Sequence, residues 1–200
     1  MTDVERAIKA YAKAAAVEVE NAVDGFDTSS ENIVRNPQIS DTVQYVLDHK
    51  NAVRKRLTYL ANQLLERAEH HDDSKLKFPE ILWLSEMDKE PRYPYGTPEY
   101  ADKKKRWKEL FEHHYKYNRH HPEHFVNGVE GMSLTDLCEY LIDISSYQNV
   151  MHPEQVMELL NGQAERFKLS EQLNQILKNT LLEYFAYFGD DKPKAYEALL

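Results

Sequence analysis

From Ser40 to about Ala68, apolar residues return at helical spacing, at Val43, Val46, Leu47, Val53, Leu57, Leu60, Leu64 and Leu65. A pattern of that length predicts one long helix. Pro37 precedes it and Ser40 suits its N-cap. The helix carries His49 near its middle and delivers the chain to His70-His71-Asp72-Asp73-Ser74-Lys75. Two neighbouring residues that can both bind a metal, His71 and Asp72, therefore arrive together at a helix end. Adjacent residues on a regular helix point in different directions, so the pair can meet one cation only from a turn or a distorted terminus.

The remaining elements are helical as well. Residues 3–23, with Val4, Ile8, Tyr11 and Ala15, predict an N-terminal helix that Gly25 and the DTSSEN stretch close. Pro79 opens a short helix through Ile81, Leu82 and Leu84 to about Asp88, followed by the loop EPRYPYGTPEY. Thr97-Pro98-Glu99 forms a helix start, and the pattern continues through Trp107, Leu110 and Phe111 into a cluster of histidines. Pro122 disfavours helix at His121, so that cluster straddles a helix end. After a loop marked by Gly128 and Gly131, Ser133 and Asp136 predict a capping box for a helix with Leu134, Leu137, Cys138, Leu141 and Ile142 on its apolar face. Further helices are expected at 153–168, 170–188 and 192–199. No stretch alternates as a strand would, and the expected class is all-α: a single domain over 1–200, with a core of about 40–150, the N-terminal helix 3–23 and a C-terminal extension 153–200.

Composition narrows the function. The chain of 200 residues carries a formal charge of −9, which argues against extended binding to a nucleic-acid backbone. Lys103, Lys104, Lys105, Arg106 and Lys108 form one basic cluster, which reads as a solvated helix face that could also meet a phosphate. A small phosphorylated substrate stays compatible with the acidic total, because a bound cation inverts the local field. The single Cys138 excludes an internal disulfide and a cysteine-rich zinc site. No apolar run approaches the roughly 20 residues that span a bilayer, and the N-terminus lacks a signal-peptide core, so the expected compartment is the cytoplasm. The C-terminal amphipathic segments make a homodimer possible.

All nine histidines lie between His49 and His152, with His113, His114, His120, His121 and His124 crowded into one stretch. His49, His71-Asp72 and Asp143 fall on three helical segments that, packed together, could bring two imidazoles and two carboxylates to a point. That set suits a divalent cation such as Mn, Fe, Co, Ni or Zn, with Mg not distinguished.

The order His … His-Asp … Asp at these separations resembles the HD-domain superfamily of metal-dependent phosphohydrolases. More narrowly, His71-Asp72-x-Ser74-Lys75 with His114-x-x-x-Asn118-x-His120-His121-Pro122 resembles an uncharacterised bacterial and phage family near the HD domains. The resemblance covers about residues 40–150. It implies an HD-like helical bundle in which His49, His71, Asp72 and Asp143 hold one metal and Asp72 bridges to a second. His114 with His121 or His120 would supply that second site; His114, Asn118 and His121 share a face if the helix continues, and Pro122 keeps His120 in play. Lys75 stands where some nucleotidases carry a catalytic glutamate, and resembles the dinuclear branches in which a lysine meets substrate phosphate. The Gly-Tyr-Pro element of cyclic-dinucleotide phosphodiesterases is absent.

The implied activity is hydrolysis of a small phosphate ester, of the nucleotide class, with one or two divalent cations. Lys75 and Asn118 would contact substrate, and Asp73 or Glu80 would orient the water or the ligand imidazoles. A mixed-valent diiron oxygenase on the same fold, or a non-enzymatic helical module with a structural metal, would use the same residues. Plainer readings stand beside these. His71-Asp72 could be a hydrogen-bonded helix terminus, His70 and His113 packing or surface residues, His124 a surface residue and His152 a loop residue. Lys75 could snorkel from a helix. Asp136, Glu139 and Asp143 form the polar stripe that a solvated helix would also show.

Overall fold

In the computed structural model, residues 37–94, 96–146 and 153–188 are described. The expected helices at 3–23 and 192–199 lie outside these residues, as does His152. Among the described residues there are seven α-helices and no strand: α1 (Pro37–His70), α2 (Glu80–Met87), α3 (Pro98–Arg106), α4 (Lys108–Tyr117), α5 (Leu134–Ser146), α6 (Pro153–Phe167) and α7 (Glu171–Phe188). The all-α expectation holds. No helix among them is long and apolar enough to cross a membrane.

The chain divides into two compact units, Met1–Asn62 and Gln63–Leu200. The described part of the first is the N-terminal portion of α1, where Tyr45, Val46, Val53, Leu57 and Tyr59 are exposed.

The second unit has its apolar centre where α5, α6 and α7 meet. Leu141, Leu160, Leu177 and Leu181 are buried together, with Ile144, Leu169, Leu173 and Tyr184 packed around them. Leu160 and Leu181 are fully enclosed. Burial of each such side chain stabilises the fold by roughly 1.5–3 kcal/mol. This centre fixes α5, which presents its other face to the histidines.

Local chemistry sets the helix boundaries. At α3, Thr97 Oγ1 accepts from the Tyr100 amide at 3.2 Å, and Pro98 opens the first turn. At α5, the Asp136 amide donates to Ser133 Oγ (3.2 Å) while the Ser133 amide donates to Asp136 Oδ2 (2.7 Å), the reciprocal cap read from the sequence. The continuous helix expected from Thr97 into the histidines is instead broken. Trp107 leaves helical geometry at φ −98°, ψ 28°, and its indole donates to Glu90 Oε1 at 2.8 Å, which tethers the bend to the preceding loop. A second break follows at Asn118, which is extended at φ −120°, ψ 104°. His120 and His121 therefore do not continue the face of His114. They sit on a short connector in which His121 is extended, as a residue before proline must be.

Candidate metal centre

α1 stops at His70, and the backbone turns sharply through Asp72, whose φ of 59° and ψ of 18° are left-handed. Aspartate is among the few non-glycine residues that tolerate this conformation, at a cost of roughly 1–3 kcal/mol that the surroundings must offset. A single 3-10 turn, Asp73–Leu76, follows, closed by the Lys75 amide donating to the Asp72 carbonyl at 2.8 Å. The left-handed step is what lets His71 and Asp72 face the same centre, the distorted helix end that their adjacency requires.

Four elements of the second unit converge there: the turn at His71-Asp72, α4 with His114, the connector with His120 and His121, and α5 with Asp143. Two groups of potential ligands result, one of Asp72, His114, His120 and His121 and one of His71, Asp72, His120 and Asp143. Asp72 and His120 belong to both. In the first group His114 Nε2 is 2.9 Å from His121 Nε2 and 3.3 Å from Asp72 Oδ1. In the second, His71 Nε2 is 3.4 Å from both Asp72 Oδ2 and Asp143 Oδ1, and His120 Nε2 is 3.8 Å from Asp143 Oδ2. Donors ~2.1 Å from a common ion lie ~3.0–3.4 Å apart at octahedral or tetrahedral angles. The Asp72 to His114, Asp72 to His71 and His71 to Asp143 spacings fall in that range, while His120 Nε2 to Asp143 Oδ2 is longer.

The protonation pattern turns the same atoms inward. Glu139 Oε1 accepts from His71 Nδ1 at 3.0 Å and from His120 Nδ1 at 3.2 Å, while Arg67 donates to Glu139 Oε2 at 2.8 Å. Glu80, fully buried, accepts from His114 Nδ1 at 3.0 Å, His113 Nδ1 at 2.6 Å and Ser74 Oγ at 2.9 Å. A neutral imidazole that donates through Nδ1 presents a lone pair at Nε2, so the carboxylates turn Nε2 of His114 and His120 toward the centre, and that of His71 once its proton is lost. Of the potential ligand atoms, Asp72 Oδ1 and His120 Nε2 are buried without any hydrogen-bond partner. Both are acceptors, they stand 3.6 Å apart, and both are shared by the two ligand groups. An unpartnered buried polar atom costs roughly 1–3 kcal/mol, and a cation between the two satisfies both. The donor set therefore fits a divalent metal.

Electrostatics agree. Hydrogen bonds to Asp143 and then Glu139 raise the His71 pKa to about 10, so this imidazole is held as a cation where no metal neutralises the carboxylates. Burial, then His120 and His114 beside it, lower His121 to about 2. Burial opposes ionisation of Asp72, but Lys75, with His114 and His71, outweighs it and lowers its pKa. Asp136 is enclosed on α5, where Arg119 and Arg67 both donate to it; against the effect of burial, Arg119, Ser133 and Arg67 bring its pKa down to about 2. Asp136 thus anchors Arg67, Arg67 anchors Glu139, and Glu139 orients two imidazoles.

Most of the expected ligands meet here: His71, Asp72, His114, His120, His121 and Asp143. His49 differs. It is exposed in the first unit and belongs to neither group. α1 runs unbroken from Pro37 to His70. His120 supplies the second imidazole beside His71 instead, and it serves both groups where a choice between His120 and His121 had been expected. Asp73 faces away from the centre, pairing with His70 at 3.2 Å and Lys77 at 3.7 Å. Asn118 is buried, with its amide donating to Ser74 Oγ (2.7 Å) and the His114 carbonyl (2.8 Å), so it braces the site and is not placed to bind substrate. Glu80 holds imidazoles, one of the two roles expected of it. Lys75 donates to Asp72 Oδ2 at the half-exposed side of the centre. His70 is exposed, His113 is bonded to Glu80, and His124 Nδ1 donates to the Tyr115 carbonyl at 2.9 Å. Glu139, Asp136 and Arg67 were missed. The 136, 139, 143 stripe was the signal for the two carboxylates, and it faces inward.

Residues 38–183 match the model of the Family of unknown function (DUF5662), and the chain belongs to that family. No curated protein and no solved structure matches it.

Proposed function

We propose that this member of the family is a metal-dependent phosphohydrolase that acts on a small phosphate ester of the nucleotide class. The observation that carries the metal is the pair of unpartnered buried acceptors, Asp72 Oδ1 and His120 Nε2, at the overlap of two ligand groups. The resemblance of the His-Asp and Asp143 pattern to the HD-domain superfamily supports the reaction class, and so does Lys75 at the accessible edge of the centre.

His71, Asp72, His120 and Asp143 would hold one cation, and Asp72 with His114 and His121 would hold a second. His120 has one free nitrogen and so serves one ion at a time. A divalent cation supplies Lewis acidity for a phosphoryl oxygen and lowers the pKa of a water. The chain's own residues do the rest. Glu139 and Glu80 fix the imidazoles in the donor tautomer. Lys75, with 39% of its side chain exposed beside Asp72, places an ammonium where charge develops on the phosphoryl group. His71 and Asp143, partly exposed, mark the side from which substrate arrives, whereas His114 and His120 close the opposite side.

The test is phosphate release from a panel of nucleotides and sugar phosphates by protein reconstituted with Mn, Fe, Co, Ni, Zn or Mg. Activity with at least one metal, lost in Asp72→Ala and reduced in Lys75→Met, supports the reading. Full activity in Asp72→Ala, or none on any ester, removes it. One observation favours a second reading: the group with three imidazoles and one carboxylate also suits iron. A diiron EPR signal after aerobic loading, with no phosphate release, would point to a mixed-valent diiron oxygenase.

A further inference from the structure

A second feature of the same unit uses none of the ligand residues. Along one face of α3 and α4 runs a groove of about 350 Å³ whose walls include Lys104, Lys105, Lys108, Phe111 and Tyr115. Lys104 does not lie as a surface lysine does. Its side chain is 29% exposed, and its ammonium stands 5.3 Å from the ring centroids of both Phe111 and Tyr115. The nearest carboxylate, Glu123, is 4.0 Å away and already pairs with Arg166. Two cations thus share one carboxylate. Lys108 pairs with Glu112, another residue of the groove wall, at 3.3 Å, while Lys105 is exposed. Burial, then the Arg166 charge, lower the pKa of Lys104, which is the cost of holding this ammonium inside without a full counter-charge.

An excess of ammonium groups against two aromatic walls matches one ligand chemistry. The cations suit a phosphate, and the rings suit a flat base, since aromatic stacking and charge-assisted hydrogen bonds act together in such sites. We propose that the groove between α3 and α4 binds a nucleoside monophosphate, with Lys104 and Lys105 on the phosphate and Phe111 and Tyr115 along the base. This site is separate from the metal centre and does not depend on it, although the two share a wall: the Tyr115 ring packs 4.9 Å from the ring of His121.

The experiment is calorimetric titration of the full chain with adenosine monophosphate under chelator, repeated on Asp72→Ala, Lys104→Met and Lys105→Gln. Lys104→Met keeps the apolar stem over the rings and removes only the charge. Lys105 is exposed, so Lys105→Gln tests the site without threatening the fold. Binding is expected in the wild type and equally in Asp72→Ala, with a loss of about tenfold in Lys104→Met and several-fold in Lys105→Gln. Adenosine and inorganic phosphate, each lacking half of the ligand, are expected to bind at least about tenfold more weakly. Three results overturn the proposal: no binding to the wild type; equal binding to both lysine variants; or loss of binding in Asp72→Ala alone, which would place the nucleotide at the metal centre. Metal content is measured independently, so failure here leaves the metal reading standing.

Discussion

Asp72 Oδ1 and His120 Nε2 face each other at 3.6 Å, both buried and neither hydrogen-bonded. One is a carboxylate oxygen, and the other is the lone-pair nitrogen of a ring whose Nδ1 is 3.2 Å from Glu139. Two acceptors in contact repel unless a positive charge lies between them. The surrounding residues enforce the contact: the left-handed backbone at Asp72 fixes one partner and Glu139 the other.

Glu139 is therefore expected to govern metal affinity without touching metal. Glu139→Gln keeps the shape but loses the charge that orients His71 and His120. Losing such a carboxylate costs about 10–100-fold in affinity. Competition with a chelator of known strength checks it, and an unchanged affinity would show that the imidazoles are held by other means.

Metal uptake should depend on pH differently for the two ligand groups. His71, raised to about 10 by Asp143 and Glu139, is protonated at neutral pH in the metal-free chain, and a cation must expel that proton. Filling the group that contains His71 should strengthen by up to about tenfold per pH unit below 10. His121, at about 2, is already neutral and releases no proton. Titrations in buffers of different ionisation enthalpy count the protons directly. The sign for folding is opposite: the raised His71 pKa stabilises the metal-free chain most below about 6.5, and this is lost as pH rises through 10.

Acid stability should follow Asp136. Its pKa falls from 3.8 unfolded to about 2 folded, so its contribution is present above about pH 4 and disappears as pH drops toward 2. The contribution is about 2 kcal/mol. Asp136→Asn should lower the denaturation midpoint at pH 7 and flatten the acid limb of the stability curve. An unaltered acid limb would assign that limb to other carboxylates.

In the apolar centre, Leu160→Ala should cost about 2–5 kcal/mol, measured by urea unfolding. Metal affinity should change little, because Leu160 touches the centre only through the packing of α5.

The helices were legible because their signals are local. Apolar spacing, Thr97-Pro98 and the Ser133/Asp136 box are all written within a few residues. The ligand set was legible in kind: residues that ligate metals were crowded together, and adjacency at His71-Asp72 already demanded a distorted helix end. What failed was non-local. Nothing in the sequence says that Trp107 binds Glu90 and breaks the helix, or that Asn118 ends it, so the facing of His120 against His121 could not be read. The 136, 139, 143 stripe looked the same whether it met water or imidazoles. Its inward orientation depends on Arg67, sixty-nine residues before Asp136. His49 entered through its order and spacing along the chain, and it belongs to neither ligand group.

The most direct measurement is metal content per chain by mass spectrometry, on protein purified without chelator or metal-affinity tag, for the wild type and Asp72→Ala. The expected result is one or two equivalents of a transition metal in the wild type and a loss of that metal in the variant. No metal in the wild type after reconstitution with manganese, iron, nickel and zinc would contradict the metal centre, as would equal metal in Asp72→Ala.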